Sequence, residues 1–511
     1  MPSSRLSGIL LHPTSFPSRF GIGDLGHEAY RFVDFLAYTH QRLWQILPLG
    51  PTGFGNSPYM CYSAMAGNPM LISPDLLHEK GLLDEADLPE ISEFPVDWVD
   101  FDKAIALKTK LLRKACQRFQ SLQESPEENL DDEDEATEGK QGFEAFCQAK
   151  APWLDDYALY MAIKGDRDGK PWHQWEVELV NRDAIALQEC REQLQAEIFY
   201  HKFTQFEFFQ QWEQLKAYAN QCNVEIIGDI PIYVAHDSAD VWANRDNFLI
   251  DPETGEPELM AGVPPDYFSE TGQLWGNPVY NWEYLVKTDF AWWLHRFQTM
   301  LEYVDWIRVD HFRGFESFWA VPQGEETAIN GEWMPAEGQA FFRKLQQTLG
   351  SLPVLAEDLG VITPEVEALR DEFEFPGMKI LQFAFGSDAG NPFLPFNIPR
   401  NCLIYTGTHD NNTTLGWFEN DIADWEYDRV VDYLGTLSPD GIHWDLIRLA
   451  LSSTANWSII PMQDLLGLDE RGRMNTPGQA EGNWKWRYRS DSISDWLRDR
   501  LQHLTKLYGR G

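Results

Sequence analysis

Eight short apolar runs, separated by long and often helix-like stretches, constrain the fold of this chain most strongly. Each run is rich in β-branched residues and ends in polar or charged ones. The runs lie near residues 7–13, 43–51, 224–234, 304–312, 353–360, 378–385, 402–410 and 456–466. Runs that alternate with helices and can be buried on both faces are typical of a parallel sheet. Eight of them predict an α/β fold, a (β/α)8 TIM barrel whose polar strand ends line one rim.

The uneven spacing of the runs predicts large, mainly helical insertions in the βα loops. We expect one catalytic domain over residues 1–511, with a helical insertion subdomain at 62–222 and a second insertion at 235–303. The second insertion contains a segment rich in Pro, Gly and aromatic residues, 262–278, which we expect to form an ordered loop over the site. The acidic run 125–139 has too few apolar residues to fold alone. For it we predict a mobile surface loop without catalytic function.

Composition narrows the choice of partners. The formal net charge of -39 would repel nucleic-acid phosphates and an anionic membrane surface, so a neutral substrate fits better. The 21 Trp and 18 Tyr side chains suit stacking on sugar rings, although most aromatic side chains in any protein serve packing.

The cysteines and the N-terminal sequence indicate the cellular compartment in which the protein is expected. Scattered cysteines without a C-x-x-C pair favour reduced thiols in the cytoplasm and imply no metal site. They are Cys61, Cys116, Cys147, Cys190, Cys222 and Cys402. The N-terminus has no signal-peptide pattern, and no segment has the ~18 uncharged apolar residues of a membrane span. We therefore expect a soluble cytoplasmic protein.

Arg308 and Asp310 end the fourth apolar run. Their spacing of two places both side chains on one side of a strand. A guanidinium group beside a carboxylate favours the ionised form, which suits a nucleophile or a stabiliser of a positively charged sugar transition state. A purely structural ion pair inside the barrel is the alternative, and the sequence alone does not decide between the two.

Glu357 follows the fifth run and precedes Asp358. Desolvation and the like charge of Asp358 would both raise the pKa of Glu357, and a carboxyl group that stays protonated near neutral pH suits a general acid. Retaining glycoside cleavage pairs such an acid with an ionised nucleophile. The alternative for Glu357 and Asp358 is an acidic pair that caps a helix.

Further polar strand ends join these two. His409 and Asp410, after the seventh run, could hydrogen-bond adjacent hydroxyls of one sugar, and Asp229 is placed alike on the third run. Acidic groups crowded at one rim oppose stability, so four of them at strand ends favour a functional role.

Other catalytic motifs are weak or absent. Residues 21–26 match G-x-G-x-x-G but follow a Pro- and Ser-rich loop instead of a strand, so we expect no nucleotide site. The sequence has no H-E-x-x-H, G-x-S-x-G or Walker A motif and no calcium-loop pattern, so we predict no metal and no cofactor.

Long motifs in chain order resemble one known family. The motifs are GILLHPTSFPSRFGIGDLG, LPLGPTGFGNSPYMCYSAMAGNP, GDIPIYVAHDSADVWAN, GVPPDYFSETGQLWGNPVYNW, RVDHFRGFESFWAVP, LAEDLG, TGTHDNNT and RMNTPG. They are similar to the 4-α-glucanotransferases called amylomaltases or disproportionating enzymes, glycoside hydrolase family 77 of the α-amylase clan. The resemblance covers nearly the whole chain and is weakest around 120–200. It implies a barrel enzyme that transfers α-1,4-glucan segments to the 4-hydroxyl of another glucan or glucose.

The resemblance also implies residue roles. Asp310 would be the nucleophile of a retaining double displacement, Glu357 the acid/base, and Asp410 a third carboxylate that grips sugar hydroxyls. The expected substrate-binding residues are Arg308 and His409 as transition-state supports, Tyr59 beneath the sugar, Asp229 and Ser57 as glucan contacts, Gln273 and Trp275 in a loop over the acceptor side, Asn475 toward the acceptor, and Phe54. Phe54 stands where some relatives have Tyr, a departure that concerns a secondary glucan surface and not the reaction.

The resemblance implies that the partners are maltooligosaccharides, amylose or glycogen-like α-glucans, with glucose as an acceptor, and we expect a monomer. Two rival hypotheses remain. A hydrolase of the same clan would use the same carboxylates with water as acceptor, and a silent scaffold would only bind glucan. The motifs favour transfer, and a silent relative would be expected to lack at least one of the three carboxylates. Transfer requires that water be excluded, which the 262–278 segment could do.

Overall fold

Eight parallel strands form the centre of the molecule. The computed structural model describes residues 4–89, 94–124, 133–265 and 269–511. In chain order its strands are β1 (Leu6–Leu10), β2 (Leu43–Gln45), β3 (Glu225–Pro231), β4 (Leu259–Val263), β5 (Gln273–Pro278), β6 (Trp306–Asp310), β7 (Ser317–Pro322), β8 (Glu332–Pro335), β9 (Val354–Ala356), β10 (Gly377–Ile380), β11 (Cys402–Tyr405) and β12 (Trp457–Pro461). Each predicted apolar run contains one strand of the central sheet.

The central sheet curls into a nearly closed barrel. Its strands are hydrogen-bonded in the order β10-β11-β12-β1-β2-β3-β6-β9. The two end strands meet where the N–H of Ala356 donates to the carbonyl oxygen of Pro376 at 2.9 Å. The predicted (β/α)8 class is confirmed, and the carboxyl ends of all eight strands meet at one rim.

The barrel strands are rich in apolar residues because both faces of the sheet are covered, so that most of their side chains are buried. Every residue of β11 and β12 is buried. Some polar groups inside the barrel bind each other, as when the hydroxyl of Tyr405 donates to Oε1 of Gln45 at 2.8 Å. This packing holds the strand ends in fixed positions.

Helices cover the barrel and fill the two insertions. They are α1 (His27–Tyr38), α2 (Pro74–Glu79), α3 (Phe101–Glu124), α4 (Glu133–Asp166), α5 (Val177–Val180), α6 (Ala184–Gln193), α7 (Gln195–Gln221), α8 (Ala239–Ala243), α9 (Trp282–Lys287), α10 (Ala291–Tyr303), α11 (Gly338–Leu349), α12 (Pro364–Glu372), α13 (Thr414–Gly416), α14 (Asp424–Leu434), α15 (Ile442–Ser452), α16 (Met462–Leu465) and α17 (Asp495–Leu507). Helices α7, α10 and α15 pack on β3, β6 and β12 respectively. That residues 62–222 form an insertion subdomain and residues 235–303 a second insertion stays a prediction.

Part of the acidic run 125–139 is helical. Residues 125–132 lie outside the described residues, whereas residues 133–139 belong to the backbone of α4. The expectation of a surface loop is therefore wrong for 133–139. Glu and Ala favour helices.

The sequence patterns do not predict a second sheet, which is antiparallel and has the order β5-β4-β7-β8. Strands β4 and β5 pair as an antiparallel hairpin, and these strands include both ends of the 262–278 segment that was expected to be a loop. Residues 266–268 of that segment lie outside the described residues. A Cβ on Gly262 would lie 2.4 Å from the carbonyl oxygen of Gln273, so this close pairing requires glycine.

Two further findings concern membranes and thiols. Within the described ranges, no helix combines the length and the hydropathy that a membrane-spanning helix needs. All six cysteines are free thiols.

Candidate active site

The ends of β3 and β6 carry a buried network of charges. Nη1 of Arg308 donates to Oδ2 of Asp229 at 2.6 Å and to Oδ1 of Asp310 at 2.9 Å. Burial acts to lower the pKa of Arg308, but the two carboxylates outweigh burial and raise this pKa well above its usual range. Arg308 and Asp310 share one side of the strand, as their spacing predicts.

The two carboxylates bound to Arg308 differ in their exposure. The side chain of Asp229 is 0% exposed, whereas that of Asp310 is 28% exposed. Burial raises the pKa of Asp229, and Arg308 opposes this rise. The structural ion pair considered from the sequence therefore describes Asp229 better than Asp310. Asp310 remains accessible from the rim.

A cluster of aromatic rings lies beside this network. The hydroxyl of Tyr59 donates to Oδ2 of Asp229 at 2.8 Å. The ring of Tyr59 stacks on that of His409 with centroids 5.2 Å apart and an interplanar angle of 16°. Trp484 packs against both rings, at 5.8 Å from Tyr59 and 5.9 Å from His409. These contacts fix the position of Tyr59.

Glu357 directly follows β9 and accepts two backbone hydrogen bonds. The N–H of His311 donates to Oε2 at 2.8 Å, and the N–H of Leu359 donates to Oε1 at 2.9 Å. Burial raises the pKa of Glu357 to about 8, and Asp310 adds to this rise, whereas Arg308 and the two amides oppose it. A carboxyl group with this pKa is protonated at neutral pH and suits a general acid.

Asp358, which was expected to raise the pKa of Glu357, is paired with other groups. Its carboxylate accepts from the guanidinium of Arg370 and from the N–H of Met378, at 2.7 Å. Adjacent side chains on an extended chain point to opposite sides, which directs Asp358 away from the rim. The helix-capping alternative is wrong, because the next helix, α12, begins only at Pro364.

Asp410 follows β11 and is held by residues from beyond β12. Nδ2 of Asn475 donates to Oδ1 of Asp410 at 2.7 Å, and Nη2 of Arg473 donates to its backbone oxygen at 2.7 Å. Nε2 of His409 lies 3.3 Å from Oδ2 of Asp410, whose side chain is 46% exposed. Asp410 is thus contacted at both oxygens, and its side chain remains partly exposed.

The predicted residues of the loop after β2 differ in their relation to the cluster. Oγ of Ser57 accepts from the N–H of Tyr59 at 3.2 Å, so Ser57 supports the ring of Tyr59. Phe54 lies in a short 3-10 turn and is 76% exposed. The structure therefore connects Ser57 to the cluster and leaves Phe54 at the surface.

Gln273 and Trp275 lie on β5 of the antiparallel sheet. The ring of Trp275 meets that of His311 edge to face, with centroids 4.9 Å apart and an angle of 88°. Nε1 of Trp275 donates to Oε1 of the exposed Gln273 at 3.2 Å. The hairpin thus reaches the residue that follows Asp310.

Three residues of the site are not predicted from the sequence. His311 has a φ of 50°, a conformation that non-glycine residues adopt rarely, and it holds Glu357 through its amide. Its position directly after Asp310 is the one local signal. Trp484 and Arg473 come from the segment after β12, where no strand pattern marks them.

The chemistry of the site follows from three carboxyl groups at one rim. Asp310 is accessible and paired with a cation, Glu357 is protonated at neutral pH, and Asp410 is an oriented acceptor. Among residues 4–89, 94–124, 133–265 and 269–511, no group of three or more His, Cys, Asp and Glu could hold a metal ion. The three carboxyl groups at the rim suit acid-assisted attack by a carboxylate.

Comparisons with known proteins agree with this geometry. The family model described as 4-alpha-glucanotransferase matches residues 11–493. A 4-alpha-glucanotransferase from Synechocystis sp. is 58% identical over 100% of this chain and 99% of its own length. One from Thermus thermophilus is 46% identical over 97% of each chain.

Solved structures give the same result. An amylomaltase from Streptococcus agalactiae in complex with acarbose matches with a TM-score of 0.94 and 40% identity, over 99% of this chain and 100% of that one. An amylomaltase from Corynebacterium glutamicum matches with a TM-score of 0.74 and 19% identity, over 99% of this chain and 75% of that one, and supports the fold alone. This chain therefore belongs to the 4-alpha-glucanotransferase family.

Proposed function

We propose that this protein moves α-1,4-glucan segments from a donor glucan to the 4-hydroxyl of an acceptor glucan or glucose, by a retaining double displacement. The observation that carries the mechanism is the environment of Glu357. Burial raises its pKa to about 8, while its carboxyl group lies against the amide of the residue that follows Asp310. A protonated acid thus neighbours an accessible carboxylate.

In the first step Asp310 attacks the anomeric carbon of the donor sugar. Glu357 gives its proton to the glycosidic oxygen, the bond to the leaving glucan breaks, and a glycosyl ester to Asp310 forms. Arg308 stabilises the negative charge of Asp310 before the attack. Glu357 is ionised when the leaving glucan departs.

In the second step the 4-hydroxyl of an acceptor attacks the same anomeric carbon. Glu357 now takes the hydroxyl proton, the ester bond to Asp310 breaks, and a new α-1,4 bond forms. Two inversions at one carbon retain the α configuration. The site returns to its starting protonation state, so no other proton donor is required.

The remaining residues at the rim position the sugar. Asp410 is oriented by Asn475 at Oδ1 and by His409 at Oδ2, and its partly exposed carboxylate can accept from sugar hydroxyls. The face of Tyr59, stacked on His409, suits the apolar face of a sugar ring. These contacts support the binding of the sugar whose bond is cleaved.

Exclusion of water favours transfer over hydrolysis. Trp275 on the hairpin contacts the ring of His311, next to Asp310. An apolar ring at this position, together with a bound acceptor, lowers the access of water to the glycosyl ester. The acceptor hydroxyl is then the group best placed to attack.

The proposed reaction and the composition of the chain indicate the substrates and the cellular location. Maltooligosaccharides, amylose and glycogen-like glucans are the donors, and glucose is among the acceptors. Six free thiols suit a reducing compartment, which supports a cytoplasmic location. The protein acts as a monomer in this proposal. The net charge of -39 fits neutral substrates.

Incubation of the metal-stripped protein with maltotriose alone tests this function. We expect glucose together with maltotetraose and longer chains, while the total number of reducing ends stays constant. An increase in reducing ends would indicate a hydrolase. Unchanged maltotriose would leave only glucan binding and overturn the proposal.

A further inference from the structure

Two arginines in the segment after β12 lie two residues apart in different surroundings. The side chain of Arg471 is 87% exposed and pairs with Asp469. Arg473 is half-buried, and one edge of its guanidinium group donates to the backbone of two residues at the candidate active site. Nε donates to the carbonyl oxygen of Asn475 and Nη2 donates to that of Asp410, each at 2.7 Å.

The contacts of Asn475 join the same parts of the chain. Its N–H donates to the carbonyl oxygen of His409 at 3.0 Å, and its Nδ2 donates to Oδ1 of Asp410 at 2.7 Å. Together with the bond from Nη2 of Arg473, these bonds connect residues 473–475 with residues 409–410. The guanidinium group therefore lies at a junction between two segments that both contribute to the rim.

Each of the two segments is also anchored on its own. Asp464 on α16 accepts from the N–H and the hydroxyl of Thr414, at 2.6 and 2.8 Å, close to residues 409–410. The N–H of Trp484 donates to the carbonyl oxygen of Met474 at 2.8 Å. Loss of the guanidinium group should therefore change how the segments lie against each other without unfolding either of them.

A guanidinium group suits this junction better than an ammonium group. Its N–H groups form a rigid planar fork, so one edge can donate to two oxygens at once. The ammonium group of lysine is a point charge on a flexible stem and does not impose this geometry. Because the carbonyl carbon and Cβ of a residue share one Cα, fixing the carbonyl oxygen of Asp410 also restrains the direction of its side chain.

The carboxylate of Asp410 depends on such support. Its side chain is 46% exposed, so packing restrains it little. Its two oxygens are contacted by Nδ2 of Asn475 at 2.7 Å and by Nε2 of His409 at 3.3 Å. Both partners belong to the segments that Arg473 joins, so the direction of the carboxylate depends on this junction.

We propose that Arg473 is a positioning residue for the reaction and acts through Asp410. It holds the carboxylate of Asp410 in the direction in which it accepts from sugar hydroxyls. This role rests on the proposed function, which makes Asp410 a sugar-binding group. Hydrogen bonds to sugar hydroxyls strengthen in the transition state of glycoside cleavage. A displaced carboxylate should therefore lower kcat more than it raises KM.

The rate of maltotriose consumption by Arg473→Lys tests the proposal. Lysine keeps the positive charge, so the substitution isolates the geometry of the guanidinium fork. We expect kcat to fall about fivefold or more while KM changes less than about twofold. Arg471→Lys, in the same segment, is the matched control and should keep the kcat of the parent.

A double-mutant cycle separates positioning from a purely structural role. In an Asp410→Asn background, Arg473→Lys should change kcat less than about twofold, because the carboxylate that it positions has been removed. An equal loss of kcat in both backgrounds would overturn the proposal, as would an unchanged kcat in Arg473→Lys alone.

The same assay keeps this proposal apart from the proposed function. Maltotriose is consumed whether a glucan or water is the acceptor, so the effect of Arg473→Lys can be measured in either case. The number of reducing ends produced by the parent protein tests transfer separately. An increase in that number would overturn the proposed transfer reaction, whereas the dependence of Arg473 on Asp410 would still be measured.

Discussion

At the scale of single residues, differences in burial give the carboxyl groups at the rim different chemical roles. Glu357 is buried against backbone amides and keeps its proton to about pH 8, whereas Asp310 is partly exposed and paired with Arg308. The same chemical group therefore serves as an acid in one place and as a nucleophile in the other. Asp229, fully buried, binds the guanidinium of Arg308, which also pairs with Asp310.

The raised pKa of Glu357 predicts an alkaline limb in the pH profile. Because the first step needs the protonated form, kcat/KM for maltotriose should fall about tenfold per pH unit above about 8. A glycosyl fluoride donor, whose leaving group needs little protonation, should lack this limb. The same limb with both donors would contradict the role of Glu357 as the acid.

Asn475 is expected to act through Asp410. Asn475→Ala removes the 2.7 Å hydrogen bond to the Asp410 carboxylate, and bonds to charged groups contribute about 1.5–3 kcal/mol. We expect kcat/KM to fall about tenfold or more. In an Asp410→Asn background the same substitution should have little effect, as a double-mutant cycle would measure. Equal losses in both backgrounds would indicate that Asn475 acts independently.

At the scale of elements, the sequence predicts what depends on local pattern. The eight barrel strands follow from apolar runs such as the one that contains β12, because strands buried on both faces must be apolar. Arg308 and Asp310 are predicted on one side because their spacing equals the period of a strand. The direction of Asp358 contradicts the prediction, since adjacent residues in the sequence need not share an environment.

Contacts between distant parts of the chain are not predictable in this way. The 262–278 segment lacks a regular alternation of apolar and polar residues, so its hairpin pairing becomes visible only in the structure. Trp484 and Arg473 reach the site from beyond β12. No local pattern marks Trp484, and Arg473 is marked only as the first residue of the RMNTPG motif. The long motifs that resemble the family supply Asn475, which no local pattern indicates.

The hairpin should control the fate of the glycosyl ester. Trp275→Ala opens the contact with His311, so water should reach the ester more easily and the ratio of hydrolysis to transfer should rise several-fold. The measurement is the number of new reducing ends per transfer event with maltotriose. Trp425→Ala, an exposed tryptophan on α14, is the control and should leave the ratio unchanged. An unchanged ratio in Trp275→Ala would mean that this ring does not exclude water.

At the scale of the whole molecule, the last residues of the sequence brace the first strand of the barrel. The guanidinium of Arg510 is fully buried and donates to the carbonyl oxygens of Leu6, Leu451 and Asn456, at 3.1, 2.6 and 3.0 Å. These oxygens flank β1, α15 and β12. Burial lowers the pKa of Arg510 to about 9, which reflects the cost of placing this charge inside the protein.

Removal of the Arg510 guanidinium should therefore destabilise the fold. Arg510→Ala leaves several buried carbonyl oxygens without donors, which should reduce the free energy of unfolding by about 3 kcal/mol or more. Thermal unfolding should show a midpoint several degrees lower. Arg471→Ala, which removes an exposed arginine paired with Asp469, is the control and should change little. Equal midpoints for both variants would contradict this account.

Trapping of the glycosyl ester tests the account of the reaction most directly. In Glu357→Gln, a maltotriosyl fluoride donor should still react with Asp310, because fluoride leaves without strong acid assistance, while the missing base should slow transfer to the acceptor. Mass spectrometry of the intact protein should then show one added maltotriosyl group, and peptide mapping should locate it on Asp310. An absent adduct, or one on Asp410 or Asp229, would contradict the assignment of Asp310 as the nucleophile.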